Sequence, residues 1–212
     1  MVSIKYLVRG GERILKLAPP FRLAKPEDAI EIARLLDLAA DGIVEFIWSS
    51  ETSPGQSPFE FGAQEVRQSD TWCTYQNAIV VQQEDQIAAL MLGFPLLEKM
   101  HDPNASNVVP AVLKPFIELE AIAVGSFFID SLAVKAQYRK RGHAYRLLQL
   151  SEQKAGDLGY SDLSLQVFEE NQTALDLYRR YGFKEIARRP VVTHTCHPRT
   201  GDILLMTKPV SS

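Results

Sequence analysis

Apolar positions along this 212-residue chain alternate between two spacings, every second residue and every third or fourth, and each change of spacing marks an element. Phe21-Arg22-Leu23-Ala24 reads as a short strand. Pro26-Glu27-Asp28 then opens a helix through Leu36, because proline fits a first helical turn and acids suit its positive end. A second helical stretch is predicted over residues 42–48, while 49–60, SSETSPGQSPFE, is rich in turn formers and reads as a loop. Residues 77–83 and 87–94 are predicted strands about a Glu84-Asp85 turn. The link from 95 to 125 is longer than two strands need, and it carries a predicted helix near 109–119 interrupted by Pro115. Ahead of the first strand, the alternation of Ile4, Tyr6 and Val8 predicts an added edge strand. Residues 188–195 and 203–207 read as a closing hairpin around Pro198-Arg199-Thr200-Gly201-Asp202.

The most informative pattern lies in residues 129–183: apolar strand, basic glycine turn, amphipathic helix, second strand, Asn-opened helix, Gly-Phe stop. The turn is Arg139-Lys140-Arg141-Gly142-His143-Ala144. Gly142 permits backbone angles closed to other residues and leaves no side chain in a ligand's way. Ala144, Leu147, Leu148, Ala155 and Leu158 follow at near-helical spacing, with Gly159 as a stop. The first N–H groups of such a helix lack internal acceptors and sit at the positive end of its dipole, so strand, turn and helix together build an anion site. Leu163, Leu165, Val167 and Phe168 then mark a strand. Asn171 stands at an N-cap, Ala174, Leu177, Tyr178 and Tyr181 form an apolar stripe, and Gly182 closes the helix with Phe183 packing back.

Two familiar phosphate motifs do not fit. No Lys-Ser or Lys-Thr pair follows the glycine, as a nucleotide P-loop requires, and one glycine falls short of the dinucleotide fingerprint. Arg139-x-x-Gly142-x-Ala144 after Leu132-Ala133-Val134 instead resembles the R/Q-x-x-G-x-G/A signature of the GNAT N-acetyltransferase superfamily. Asn171-x-x-Ala174-x-x-x-Tyr178-x-x-x-Gly182-Phe183 resembles that family's second motif. The resemblance implies an α+β fold: a mixed central sheet of about seven strands with helices on both faces, its fourth and fifth strands splayed apart. It implies acetyl-CoA as co-substrate. Backbone groups of Leu132, Ala133 and Val134 would meet the pantetheine arm, and Arg139, Lys140, Arg141, Gly142, His143, Ala144 and Tyr145 would wrap the pyrophosphate. Asn171 would touch the cofactor's arm or a water, and Tyr178 matches the usual general acid for the departing thiolate.

The chemistry of acyl transfer to an amine sets its own demands. An amine is mostly ammonium at neutral pH and must lose a proton before it attacks. Attack makes an oxyanion that a strand-edge N–H near Leu132 to Val134 would stabilise. Asp130, inside the apolar run Phe127-Phe128-Ile129-Asp130-Ser131-Leu132, is the candidate base, since an acid there is costly to bury without a reason. The alternative is a structural Asp that accepts backbone hydrogen bonds at a strand bulge, with water chains taking the proton. Ser131 reads as a hydrogen-bonding neighbour and His143 as a surface residue beside the phosphate.

Composition narrows the setting. A formal net charge of −3 argues against nucleic acid as a partner, and 46% hydrophobic content supplies a sizeable core. No apolar run is long enough to span a bilayer, and charges interrupt the N-terminal MVSIKYLVRGGERILK. Two cysteines, Cys73 and Cys196, make no disulfide framework. A cytoplasmic protein with no membrane partner is the simplest expectation. His194, Cys196 and His197 in THTCH would strain a single tetrahedral site, and the segment reads as a hairpin arm, so no metal is expected. The whole chain, residues 1–212, is expected to form one GNAT domain, with 1–20 as an N-terminal extension and 95–125 as an insertion. The acceptor is expected to be a small-molecule amine, drawn by the acids and aromatics Glu45, Trp48, Glu51 and Phe59. A protein N-terminus or lysine is the second reading, and a non-catalytic acyl-CoA sensor the third. Family members commonly form homodimers, which spacing alone does not fix.

Overall fold

The computed structural model describes residues 17–98 and 109–211. Its strands are β1 (Phe21–Leu23), β2 (Ala78–Gln83), β3 (Gln86–Pro95), β4 (Phe127–Val134), β5 (Asp162–Phe168), β6 (Lys184–Pro190) and β7 (Asp202–Pro209). Its α-helices are α1 (Ala29–Ala39), α2 (Ile43–Ser49), α3 (Pro58–Arg67), α4 (Lys114–Ala123), α5 (His143–Asp157) and α6 (Gln172–Tyr181). The strands hydrogen-bond in the order β1-β2-β3-β4-β5-β7-β6. The sheet is mixed, because β4 runs parallel to β5 while β1–β2, β2–β3, β5–β7 and β6–β7 are antiparallel. The expected α+β fold, with seven strands among the described residues, is therefore present.

The chain packs as two compact units. Among the described residues, the first holds 17–93 and 131–149, and the second holds 94–98, 109–130 and 150–211. In the first unit, β2 and β3 are buried along nearly their whole length, as their unbroken apolar runs require. Ile32, Leu35 and Leu36 of α1 and Val66 of α3 are fully buried. Trp48 of α2 packs so tightly on Gly62 of α3 that an added Cβ there would lie 2.4 Å from the indole ring. In the second unit, β5 pairs with β7 along its length, from Asp162↔Pro209 to Phe168↔Ile203. Phe127, Leu163, Leu165, Leu205 and Met206 make its sheet core.

Three sequence expectations need correction. The loop expected over 49–60 ends early, because Pro58 begins α3. The Ser57 hydroxyl accepts the Glu60 N–H and Glu60 returns to the Ser57 N–H, so these turn formers are a capping box. Pro115 does not interrupt a helix. It is the second residue of α4, where its missing N–H had no intrahelical acceptor to lose, and the helix runs on to Ala123. The hairpin arm expected at 188–195 begins at Lys184 and ends at Pro190. The edge strand expected through Ile4, Tyr6 and Val8 lies outside the described residues, as do 99–108 of the 95–125 segment.

Candidate active site

In the first unit, the end of β4 leads into the glycine turn. Ser131 and Ala133 are buried while Leu132 and Val134 are half-buried, the period of two that a strand imposes. The Lys135 N–H donates to the Ala88 carbonyl of β3 at 2.9 Å, and its ammonium pairs with Glu31 of α1 at 2.6 Å, which fixes the exit of the strand. A single helical turn, Ala136–Tyr138, follows. Lys140 (φ 61°) and Gly142 (φ 80°) both take left-handed backbone angles, which turn the chain sharply ahead of the helix. A Cβ on Gly142 would meet nothing within 4 Å, so the glycine faces open space. The first intrahelical bond of α5 runs from the Arg146 N–H to the Gly142 carbonyl at 3.0 Å. The N–H groups of His143, Ala144 and Tyr145 thus precede the helical ladder.

Both arginines of this turn bond to carbonyls of their own backbone. Arg139 Nε donates to the Val134 carbonyl at 3.1 Å, and Arg141 donates to the Gln137 carbonyl at 3.1 Å with its guanidinium 5.3 Å from the Tyr138 ring centre. His143 corrects the expectation of a surface residue. It is 9% exposed, its ring meets Phe21 of β1 edge-on at 6.2 Å, and its Nε2 has no hydrogen-bond partner. Burial, followed by the charge of Arg141, lowers its pKa and favours the neutral imidazole.

In the second unit, Asn171 caps α6, its side-chain oxygen accepting the Ala174 N–H at 3.2 Å. Gly182 ends the helix at φ 105°, as expected for that position. Between them Tyr178 is 7% exposed, with its ring 5.9 Å from Phe183. Burial pushes its phenol up to about 12, so the hydroxyl keeps its proton across the physiological range. Tyr181 is anchored instead, donating to Glu152 at 2.5 Å; Glu152 also accepts from Lys208 and from the Ser211 N–H. Burial works to raise the Glu152 pKa, but the bonds from Lys208, Tyr181 and Ser211 outweigh it and hold it at about 2.

Asp130 is half-buried in β4, one residue past the last parallel pair, Ile129↔Leu165. Sequence reading missed its neighbour in charge, Glu120 of α4. Burial, followed by the charge of Asp130, pushes the Glu120 carboxyl up to about 8. A signal existed: in Leu119-Glu120-Ala121-Ile122-Ala123 an acid stands alone among apolar residues. Treating Pro115 as a break hid the helical phase that places it.

Other expectations resolve differently. Trp48 is 4% exposed and belongs to the core of the first unit, while Glu45 and Glu51 are exposed and Phe59 half-buried. An open groove of about 620 Å³ lies between α1, α3 and the 53–56 loop, lined in part by Ile30, Gln56, Glu60 and Arg67. His194 and His197 each accept a neighbouring backbone N–H through Nδ1, and His197 packs on Phe168 at 5.6 Å. Among the described residues, no three His, Cys, Asp or Glu side chains group as a metal site would need. Nor is any described helix long and apolar enough to cross a membrane.

With this geometry in place, comparison with known proteins gives the family. Residues 44–183, more than half of the chain, match the sequence model of the Acetyltransferase (GNAT) family, and the chain belongs to that family. Over 58 residues it is 41% identical to the uncharacterized N-acetyltransferase YycN of Bacillus subtilis (strain 168). That match covers 27% of this chain and 37% of the relative, so it spans little more than a third of the relative's length. Among solved structures, an N-acetyltransferase from Staphylococcus aureus Mu50 is 20% identical with a TM-score of 0.62, over 89% of this chain and 99% of that one. Another acetyltransferase structure is 18% identical with a TM-score of 0.62, over 90% and 99%. At these identities the two structures show a shared fold.

Proposed function

We propose that the chain transfers an acetyl group from acetyl-CoA to a primary amine of a small molecule, by direct attack while both substrates are bound. The observation that carries this reading is the left-handed turn at Lys140–Gly142, which leads into the N-terminus of α5 and leaves open space at Gly142. Backbone N–H groups from Arg139 to Tyr145 would hold the pyrophosphate. The folded-back side chains of Arg139 and Arg141 brace that turn and add charge. Leu132 to Val134 would meet the pantetheine arm, and Asn171 still has its amide N–H₂ to offer beyond its capping oxygen.

When bound, acetyl-CoA supplies the thioester. Asp130 draws the ammonium and starts its deprotonation, freeing the lone pair that forms the new C–N bond. Tyr178, protonated because it is buried, gives its proton to the sulfur as the C–S bond breaks, and the second amine proton restores the phenol. One thiol, one amide and one proton leave for each ammonium consumed. A protonated tyrosine held on a capped helix supports catalysis over mere sensing. The test is thiol release from acetyl-CoA against polyamines, amino acids, aminoglycosides and short peptides. Release with a small amine supports the proposal. Release with peptides alone transfers the function to protein acetylation. Silence across the panel, with acetyl-CoA still raising the melting temperature, would leave a sensor.

A further inference from the structure

We propose that Glu120 of α4 is a second catalytic carboxylate of the transferase site, and that it carries away the proton that Asp130 draws from the acceptor's ammonium. The inference rests on the transferase reading and names the acceptor as a cation at the moment of binding.

The geometry is built on the sheet of the second unit. Phe128 pairs with Ser164 across the parallel ladder, so their side chains share a face, and two residues further on Asp130 and Gln166 extend that face. Helix α4 covers this side of β5: Gln166 Nε2 donates to the Phe116 carbonyl at 2.9 Å, and the Phe116 ring meets Phe168 edge-on at 5.8 Å. Glu120 stands one helical turn after Phe116 and so shares its face. Glu118, two residues earlier, points elsewhere and binds Arg189 of β6 at 2.6 Å. Arg188 of β6 is tied to Glu169, Glu185 and Asp202, and Lys208 of β7 to Glu152. Of the described charged groups on the elements packed against α4, Asp130 is the one that acts on Glu120.

The chemistry explains why two acids serve better than one. A carboxylate of ordinary basicity is a weak base for an ammonium of about 10. Burial and the Asp130 charge bring Glu120 to about 8, near enough to the amine to accept its proton and near enough to neutrality to return it to solvent. The N–H bond of the ammonium breaks, its electron pair stays on nitrogen for attack on the thioester, and the O–H bond forms on Glu120.

The test follows the side-chain carboxyl carbons by ¹³C NMR from pH 4 to 10 in the full chain, with Glu120→Gln and Asp130→Asn providing assignment and butylamine as the probe cation. We expect one carboxyl titrating near pH 8 that is lost in Glu120→Gln, moves down in Asp130→Asn and moves down again with butylamine. In thiol release with any amine active in the panel, kcat/KM of the native enzyme should stop rising at about pH 8. Glu120→Gln should lose at least tenfold at pH 7 and keep rising to the amine's own pKa. Glu120 titrating like an exposed carboxyl, or an unaltered pH profile in Glu120→Gln, overturns the proposal. A coupled, amine-sensitive titration in a chain that releases no thiol would support the carboxylate pair and reject the transferase reading instead.

Discussion

The two units divide the proposed chemistry by the kind of atom that performs it. In the first, the turn at 139–145 offers backbone N–H groups shaped by two left-handed residues, while its arginines are occupied with their own carbonyls. In the second, side chains matter: a tyrosine held protonated and two acids that sense one another. Backbone recognition depends on conformation, which one glycine and one helix start secure. Side-chain proton transfer depends on desolvation, which requires distant segments to be packed around the group.

The sharpest way to break this contrast is Gly142→Trp. A side chain at φ 80° strains the turn, and an indole in the space before α5 would obstruct any phosphate there. Acetyl-CoA affinity should fall by about 100-fold or more in calorimetry, because the charge-assisted bonds of the cradle go together. Arg141→Ala, which removes charge and leaves the turn, should lose only about tenfold or less. Equal losses would mean that charge rather than backbone geometry binds the cofactor.

Tyr178→Phe addresses the side-chain half. The ring keeps its edge contact with Phe183, so the fold should persist while turnover drops by about 100-fold, a usual scale for a lost general acid. Burial pushes the native phenol up to about 12, so the activity it supports should hold up to pH 10 and not decline as an ordinary tyrosine loses its proton. Intact turnover in Tyr178→Phe between pH 6 and 10, read by thiol release, would assign the acid to solvent or another group.

The same division decides how much was legible in the sequence. Arg139-x-x-Gly142-x-Ala144 and the Asn171 to Gly182 frame are local: a glycine angle, a cap and a helical stripe are written within a dozen residues, and the structure keeps each element there. Lys140 was not foreseen as left-handed, because lysine carries no such preference. His143 was expected at the surface and Trp48 beside a cationic acceptor, whereas both are buried, His143 against Phe21 far away in the chain and Trp48 against Gly62 of the next helix. Glu120 escaped notice for a related reason. Its environment is assembled by β4 and by the Gln166 and Phe168 contacts to α4, and the latter two lie more than forty residues from position 120.

Glu152→Gln sharpens the contrast within the second unit, by separating acids that support from acids that react. Glu152 binds Lys208, Tyr181 and the Ser211 N–H together, with its side chain and that of Lys208 only 15% and 13% exposed. Removing its charge leaves the Lys208 ammonium without its counterion. The folded state should lose about 2 kcal/mol in urea denaturation at pH 7, while the pH profile of turnover stays in place. The pH dependence has a fixed sign. The Glu152 pKa is about 2 in the folded chain and ordinary when unfolded, so its contribution is complete above about pH 4.5 and disappears as pH falls toward 2. Native and Glu152→Gln chains should therefore converge in stability at pH 2 and differ most from pH 5 upward. Glu120 has the opposite sign: its folded pKa is raised, so it holds a proton that the unfolded chain sheds, and stability falls between about pH 4.5 and 8. An acid that stabilises when charged and an acid that is strained when charged thus lie in one unit, and the direction of each pH slope distinguishes the structural carboxylate from the reactive one.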